Sequence, residues 1–192
     1  MELQRHLGVT YKTAWRMAKQ IRSLMKQDSN PLSGIVEADE TYVGGKTSGI
    51  TGRGAKGKTP ILGVVRRKGV VRAKVVTDTT RYTVTPFLKE NVQIGTELMT
   101  DNYGVYQRIS KEGYKHKVIN HRIDKYVRGK VHTNTIEGFW SQLKRSIDGT
   151  HHAVSPKYLQ SYLNQFVYQY NYREISTFPF LLKRVVSLGS AR

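Results

Sequence analysis

Ile-Val-Glu-Ala-Asp-Glu-Thr-Tyr-Val, residues 35–43, is the stretch at which the hydrophobic pattern of the chain changes to a period of two. A period of two predicts a β-strand whose side chains point alternately to two faces. Asp39 lies inside this strand, on the same face as Glu37 and Thr41. Because a carboxylate inside a strand is unfavourable unless it is exposed or has a partner such as a metal ion, Asp39 is a candidate metal ligand.

The rest of the sequence predicts four more strands and several helices. Three strands that can form an antiparallel meander come first, and the later strands alternate with helices, so they should pair in parallel. A mixed α/β fold with a five-stranded sheet flanked by helices, the ribonuclease H-like arrangement, is the simplest closure. The predicted elements after the first strand are strands 60–66, 70–77, 96–101 and 114–120, and helices 83–92, 103–112, one carrying Glu137 and one starting at Ser155-Pro156.

The first residues of the chain predict two short helices separated by a turn. Gly8-Val9 suits the turn, and Thr10 suits the cap of the second helix. This order is the helix-turn-helix pattern, although a plain helical hairpin explains it about equally well. We therefore predict a partial helix-turn-helix over residues 1–26. The cations of its second helix suit DNA phosphates and are Lys12, Arg16, Lys19 and Arg22.

The charge of the chain indicates a polyanionic partner. Lys and Arg total 32 and Asp and Glu total 14, which gives a formal net charge of +18. Nucleic acid is the leading candidate, although a ribosomal-type basic protein shares this charge. No apolar stretch approaches the roughly 18 residues of a membrane-spanning helix, and no secretory signal is visible at the start. The absence of cysteine excludes disulfides and cysteine-type zinc sites.

Two further acids extend the candidate metal site. Asp101 ends the predicted strand 96–101, where side chains tend to line a cleft, and Glu137 lies on a later helix. Three converging carboxylates can hold two Mg²⁺ ions, which prefer hard oxygen ligands and promote in-line displacement at phosphorus. Alternatives remain open at two positions: Glu37 or Glu40 in place of Asp39, and Asn134 in place of Glu137 or shared with it.

A second informative stretch is His132-Thr-Asn-Thr-Ile-Glu-Gly-Phe-Trp-Ser-Gln-Leu-Lys-Arg145, which predicts an amphipathic helix. Glu137, Trp140 and Lys144 share one side of it, because residues seven apart lie two turns apart. A carboxylate and a cation that face the same way suit a metal ligand beside a contact to a DNA strand. Trp140 suits packing better than stacking on a base, and Arg145 suits the phosphate backbone.

A glycine-rich basic segment precedes the second predicted strand. Residues 52–59 fit the phosphate-loop pattern G-x-x-x-x-G-K-T, but that motif works only when the loop opens a helix, whereas a strand is predicted here. ATP binding is therefore disfavoured, and contact with a DNA backbone is favoured. The cations of this segment are Lys46, Arg53, Lys56 and Lys58.

The histidines do not predict a zinc site. His116, His121 and the pair His151-His152 fit no common ligand spacing, and no cysteine assists them. Polar residues at the surface or near DNA are the simpler interpretation.

Several segments together resemble the DDE-type insertion-sequence transposases of the ISXO group. The resemblance implies a ribonuclease H-like catalytic domain, here residues 35–192, with Asp39 and Asp101 as the first two metal ligands. Glu137 matches the third acid and Lys144 the cation that follows it, whereas some members are described with asparagine at the third position. The matching segments are Leu-Gly-Val-Thr-Tyr-Lys-Thr-Ala-Trp-Arg-Met (7–17), Val-Glu-Ala-Asp-Glu-Thr-Tyr-Val-Gly-Gly (36–45), Thr-Asp-Asn-Tyr (100–103), His-Thr-Asn-Thr-Ile-Glu-Gly-Phe-Trp-Ser-Gln-Leu-Lys-Arg (132–145) and Tyr-Asn-Tyr-Arg (170–173).

We therefore expect a DNA transposase that cleaves at transposon ends and transfers the strands into target DNA. The expected cofactors are two Mg²⁺ ions, with Mn²⁺ as a substitute. The expected partners are double-stranded DNA and further copies of the chain, without a membrane, in the cytoplasm at the nucleoid. Two alternatives remain open: a ribonuclease H-like nuclease without strand transfer, and a catalytically inactive DNA-binding derivative.

Overall fold

A computed structural model of the chain describes residues 2–44, 57–119, 132–151 and 154–189. Its strands are β1 (Ile35–Gly44), β2 (Lys58–Arg66), β3 (Val71–Val75), β4 (Glu97–Asp101) and β5 (Lys115–Ile119). Its α-helices are α1 (Glu2–Leu7), α2 (Tyr11–Ser23), α3 (Arg81–Asn91), α4 (Asn134–Ser146), α5 (Pro156–Asn171) and α6 (Phe178–Gly189). Among the helices of the described residues, none combines the length and the apolar character that crossing a bilayer requires.

The five strands form one mixed sheet in the order β3-β2-β1-β4-β5. β2 pairs antiparallel with both β1 and β3, whereas β4 pairs parallel with both β1 and β5. Helix α3 connects β3 to β4, as a crossover between the two halves of the sheet. The predicted ribonuclease H-like sheet is therefore confirmed, with β1 at its centre.

Helices cover both faces of the sheet. On one face, the buried apolar residues of α3 pack with Val36 and Ala38 of β1. The other face of β1 carries Glu37 and Asp39, because successive side chains of a strand alternate. Helix α4 lies on this second face, where it donates hydrogen bonds to both carboxylates. The acids therefore lie beneath α4, on the face opposite the core that β1 shares with α3.

The connection after β4 differs from its prediction. The sequence predicts one helix over residues 103–112, but the structure has two short 3₁₀ turns, Gly104–Tyr106 and Ile109–Glu112. Tyr106 and Ile109 are both buried and lie three residues apart, which is the repeat of a 3₁₀-helix. The predicted α-helix is therefore wrong. Two short 3₁₀ turns are enough to bury both side chains, so a continuous apolar face along an α-helix is not needed.

The described residues divide into two compact units. One consists of residues 28–160 and contains the whole sheet; the other combines residues 1–27 with residues 161–192. Helix α5 runs across this division, and α6, which the sequence analysis does not predict, belongs to the second unit. The sequence-based domains, a partial helix-turn-helix over residues 1–26 and a catalytic domain over residues 35–192, remain a prediction.

The second unit begins with the predicted pair of short helices. Gly8 has a φ of 63° between α1 and α2, a left-handed conformation that glycine adopts readily. The Thr10 hydroxyl accepts a hydrogen bond from the Thr13 amide at 3.3 Å and caps α2. Lys12, Arg16 and Lys19 are exposed along α2, as contact with phosphates requires.

Arg22 departs from that pattern. Its side chain is buried, and its guanidinium lies 4.2 Å from the centre of the Tyr162 ring on α5. A guanidinium stacked on an aromatic face is held by cation–π attraction and by packing of its stem. Its place inside the second unit does not fit the predicted contact with a DNA phosphate, and we assign Arg22 to packing.

Asp78 precedes the start of α3. Its Oδ1 accepts hydrogen bonds from the Thr80 amide at 2.9 Å and from the hydroxyls of Thr80 and Thr83 at 2.6 and 2.7 Å. These hydrogen bonds, led by those from the Thr80 and Thr83 side chains, hold the pKa of Asp78 far below its usual value of 3.8. The ionised carboxylate therefore helps to hold the chain at the entry to the helix.

The substitution Asp78→Asn is expected to lower the melting temperature at pH 7 by a few degrees, about the effect of losing one cap in a domain of this size. A carboxylate with a lowered pKa stabilises the fold above its unfolded pKa and loses that contribution as the pH falls. The difference between wild type and variant should therefore shrink as the pH falls below 3.8. Thermal melts of both proteins, followed by circular dichroism across this pH range, test the prediction. A melting-temperature difference that stays constant with pH would contradict it.

Candidate active site

Asp39 and Asp101 follow the paired part of two adjacent strands, β1 and β4. β1 and β4 pair in parallel, with Glu37 opposite Met99. Each acid follows its member of this pair by two residues, so both carboxylates point to the same face from adjacent strands. Neighbouring strands lie about 4.8 Å apart. The register therefore brings together the two aspartates that the sequence predicts as metal ligands.

Glu37 fixes the start of α4 on this face of the sheet. Its side chain is 0% exposed, and its Oε2 accepts hydrogen bonds from the amides of Thr135 and Ile136 at 2.9 and 3.0 Å. The first amides of a helix have no partner within the helix and carry its positive dipole end, so a carboxylate there is doubly favourable. Glu137, one residue further on, is thereby placed over β1.

Arg67 completes the contact beneath α4. Its Nε donates a hydrogen bond to Glu37 Oε1 at 2.6 Å, and its Nη2 donates to the carbonyl of His132 at 2.6 Å. A buried carboxylate is stable only when it is paired and hydrogen-bonded. Arg67 provides the pairing charge and also holds the segment that enters α4.

Trp140 links α4 to the first aspartate. Its Nε1 donates a hydrogen bond to Asp39 Oδ2 at 3.1 Å, and the side chain is 4% exposed. The residue opposite Asp39 on β2 is Gly63. A Cβ at position 63 would lie 2.5 Å from two carbons of the indole ring, so the ring reaches this place only because the position is glycine.

The acids of the site repel one another. The pKa of Asp39 is raised to about 7, first by burial and then by the negative charges of Glu40, Asp101 and Glu137. The charges of Asp101 and Glu137 are therefore close enough to act on Asp39. A divalent cation would remove this repulsion, because an opposite charge favours the ionised carboxylate.

Glu40 occupies the other face of β1. It is buried, and its Oε2 accepts a hydrogen bond from the Tyr106 hydroxyl at 3.1 Å. Burial, reinforced by the charge of Glu40, raises the pKa of Tyr106 well above its usual value, so Tyr106 remains a donor. Glu40 is thus held on the opposite side from Asp101, and Glu37 is held by α4. Both alternatives to Asp39 have structural partners instead.

The donor set fits a hard cation in its chemistry. It consists of three carboxylates; burial and neighbouring negative charges disfavour the ionised form of Asp39, whereas Glu137 is exposed. Oxygen ligands are those that Mg²⁺ prefers. Each carboxylate has a local donor: the Thr133 hydroxyl donates to Glu137 at 2.6 Å and the Tyr103 amide to Asp101 at 3.1 Å. Within the described ranges, no three His, Asp or Glu side chains are already arranged to hold a metal ion. Asn134 is exposed at the first position of α4.

The predicted DNA contacts outside α2 fall into three groups. Lys144 and Arg145 are exposed near the end of α4, in the same unit as the acids. Lys58 begins β2, so residues 58–59 continue into a strand and not into the helix that a phosphate-binding loop requires. Lys46, Arg53 and Lys56 lie outside the described residues.

Of the four histidines considered for zinc, the structure describes the side chain of His116. His116 Nε2 lies 2.9 Å from the Thr100 hydroxyl, and burial lowers its pKa. His121 and His152 lie outside the described residues, as does the side chain of His151.

Three residues that shape the site were missed by sequence reasoning. The sequence predicts Glu37 only as an alternative to Asp39 and predicts no role for Arg67 or Gly63. A glycine inside a strand often marks close approach of another group, and that signal was available for Gly63. The partners of Glu37 and Arg67 lie too far away in sequence for a comparable signal.

The chain belongs to the ISXO2-like transposase family, since residues 31–171 match the ISXO2-like transposase domain. This confirms the resemblance seen in the sequence. The chain is 26% identical to an uncharacterized protein in transposable element ISH50 of Halobacterium salinarum, over 86% of this chain. It spans about 62% of the length of that relative.

Solved structures with a related arrangement include two retroviral proteins. One is the catalytic core domain of HTLV-2 integrase in complex with magnesium, in a dimeric form, with 15% identity, a TM-score of 0.45 and coverage of 77% of this chain and 93% of that chain. The other is the simian T-cell lymphotropic virus intasome in complex with PP2A regulatory subunit B56 gamma. It has 13% identity, a TM-score of 0.40 and coverage of 91% and 61%.

Proposed function

We propose that this protein is a DNA transposase that cleaves at transposon ends and joins the freed strands to target DNA. The observation that supports it best is the register that places Asp39 beside Asp101 on one face, below the helix that carries Glu137. Membership of the ISXO2-like family supports the same reading. We assign Asp39, Asp101 and Glu137 as ligands for two Mg²⁺ ions, with Asn134 as the alternative third ligand and Mn²⁺ as a substitute.

The metal ions, when bound, would activate the attacking oxygen and neutralise charge on the phosphate. The chain supplies the rest. Asp39 is held by Trp140, and the start of α4 is held by Glu37, so the acids stand on rigid elements. Water attacks the phosphodiester first and displaces a 3′ hydroxyl. That hydroxyl next attacks a target phosphodiester and displaces the 3′ hydroxyl of the cut target strand, without a covalent bond to the protein. Lys144 contacts the strand near the scissile phosphate.

The proposed partner is double-stranded DNA, both transposon ends and target. The formal charge of +18 supports it, because cations that neutralise phosphates release counterions and drive association. Joining two ends requires at least two catalytic sites, and we propose a homo-oligomer on DNA at the nucleoid. The exposed cations Lys12, Arg16, Lys19, Lys144 and Arg145 are assigned to the DNA backbone. Lys46, Arg53, Lys56 and Lys58 of the glycine-rich segment are assigned to it as well.

The substitution Lys144→Gln is expected to weaken DNA binding about equally for all sequences and to reduce the slope of log affinity against log salt by about one. The reason is the loss of one phosphate contact. Fluorescence anisotropy with labelled duplex DNA at several salt concentrations measures the slope. Lys89→Gln is a matched control. Lys89 lies on α3, which covers the opposite face of the sheet, and it pairs with Glu112 at 2.7 Å. An unchanged slope for Lys144→Gln would refute the assignment.

Product analysis tests the proposed reaction. The protein is incubated with Mg²⁺ and labelled duplexes that carry the ends of its element, together with a supercoiled plasmid as target. Label covalently joined to the plasmid is expected. Free ends without joining would favour the hydrolytic nuclease, and salt-dependent binding without any cleavage would favour the inactive derivative; either outcome overturns strand transfer.

A further inference from the structure

Trp140 contacts Asp39 from α4, the helix that carries Glu137. The hydrogen bond from its Nε1 ends on Asp39 Oδ2 at 3.1 Å. Trp140 follows Glu137 by three residues, so both side chains belong to neighbouring turns of one rigid helix. The indole thus sets the position of the first acid relative to the third.

Two features restrict the position of the Trp140 ring. Gly63, opposite Asp39, leaves the space that the ring occupies, since a Cβ there would lie 2.5 Å from the indole. Phe139 lies beside the ring with a centroid distance of 5.1 Å. The indole is therefore held in place by strand and helix together, and its N–H direction is fixed.

We propose that Trp140 is a positioning residue that orients the Asp39 carboxylate for divalent metal, an inference that rests on the proposed function. A hydrogen bond to one carboxylate oxygen limits rotation of the group. Donors that orient metal-binding carboxylates affect metal affinity about 10- to 100-fold when they are removed. A buried indole N–H also needs an acceptor for its own sake, so the simpler view is that Asp39 merely satisfies Trp140. The two views predict different metal affinities.

Titration of the protein with Mn²⁺, with free Mn²⁺ followed by electron paramagnetic resonance, separates them. The substitution Trp140→Phe keeps an aromatic ring but removes the donor, and we expect it to weaken Mn²⁺ binding about 10-fold or more. Trp15→Phe is the matched control, because position 15 lies on α2 in the other unit, and it should bind as wild type does. Gly63→Ala keeps the indole N–H but displaces the ring, and a similar loss is expected.

Tryptophan fluorescence shows independently whether the bound ion lies beside Trp140. The sequence has two tryptophans, so Trp15→Phe leaves Trp140 as the sole emitter. Paramagnetic Mn²⁺ at Asp39 should quench its emission with the same saturation curve as the resonance titration. Adding Asp39→Asn to this variant should remove the quenching.

The outcomes are distinct. If wild type does not bind Mn²⁺, the proposed function fails and this inference fails with it. If wild type binds and a folded Trp140→Phe binds equally well, the positioning role is refuted while the proposed function stands. If Trp140→Phe does not fold, Gly63→Ala decides, because it keeps the indole N–H but displaces the ring: weaker Mn²⁺ binding supports the role, and wild-type affinity refutes it.

Discussion

The substitution Asp101→Asn is expected to lower the rate of strand transfer about 1,000-fold or more while leaving the fold intact. Asparagine keeps the shape of the side chain but removes one of the charges that would hold the metal ions. Metal ions contribute several kcal/mol of charge stabilisation in the transition state, and each 1.4 kcal/mol corresponds to about tenfold in rate. The melting temperature without metal should not fall, because the substitution also removes repulsion from Asp39.

Glu97→Gln is the matched control for this prediction. Glu97 begins the same strand that Asp101 ends, and it pairs with Lys117 at 2.6 Å on a partly exposed surface. Exposed ion pairs contribute little, so strand transfer by Glu97→Gln should stay within about threefold of wild type. Joined product from Asp101→Asn at more than a tenth of the wild-type rate would contradict its assignment as a metal ligand.

The substitution Glu37→Gln is expected to cost about 3–5 kcal/mol in the free energy of unfolding, the usual effect of removing one partner of a buried ion pair. The amide of glutamine would bring a donor towards Arg67, whose guanidinium is mostly buried beside it. It would also weaken the hold on the first amides of α4. Urea unfolding at pH 7 measures the loss, and strand transfer should fall as well, because the start of α4 would no longer be fixed over β1.

Glu90→Gln provides the comparison for an exposed acid. Glu90 pairs with Lys74 at 3.2 Å, and both side chains are largely exposed. Loss of this ion pair should lower the free energy of unfolding by less than about 1 kcal/mol. A cycle that combines Glu37→Gln with Arg67→Gln should show strong coupling, since contacting residues are not additive. If the loss for Glu37→Gln were as small as that for Glu90→Gln, the contact beneath α4 would not be structurally important.

The local pattern of the sequence predicted much of the sheet. The predicted strand 35–43 corresponds to β1, and the acid-terminated strand 96–101 corresponds to β4. Alternation along β1 correctly separated the face of Asp39 from that of Glu40. The prediction succeeded because successive side chains of a strand point to opposite faces, so the apolar residues Val36 and Ala38 alternate with the acids Glu37 and Asp39. Which acids bind metal stays a prediction.

Long-range partners could not be predicted in this way. Glu37 accepts its hydrogen bonds from residues 98 and 99 positions later, and no local pattern records such a partner. Arg22 looked like one more cation on an exposed stripe until the structure placed it against Tyr162. The helix predicted over 103–112 failed for a different reason: buried residues three apart suit a 3₁₀ turn as well as an α-helix.

The most direct test of the metal site is anomalous diffraction from crystals of the protein soaked in Mn²⁺. We expect two anomalous peaks about 3.5–4 Å apart, bridged by Asp39 and Asp101 and completed by Glu137 or Asn134. Two results would contradict the proposal that these acids form the catalytic centre. One is that no peak lies between the carboxylates of Asp39 and Asp101 at saturating Mn²⁺; the other is that peaks occur only elsewhere on the chain.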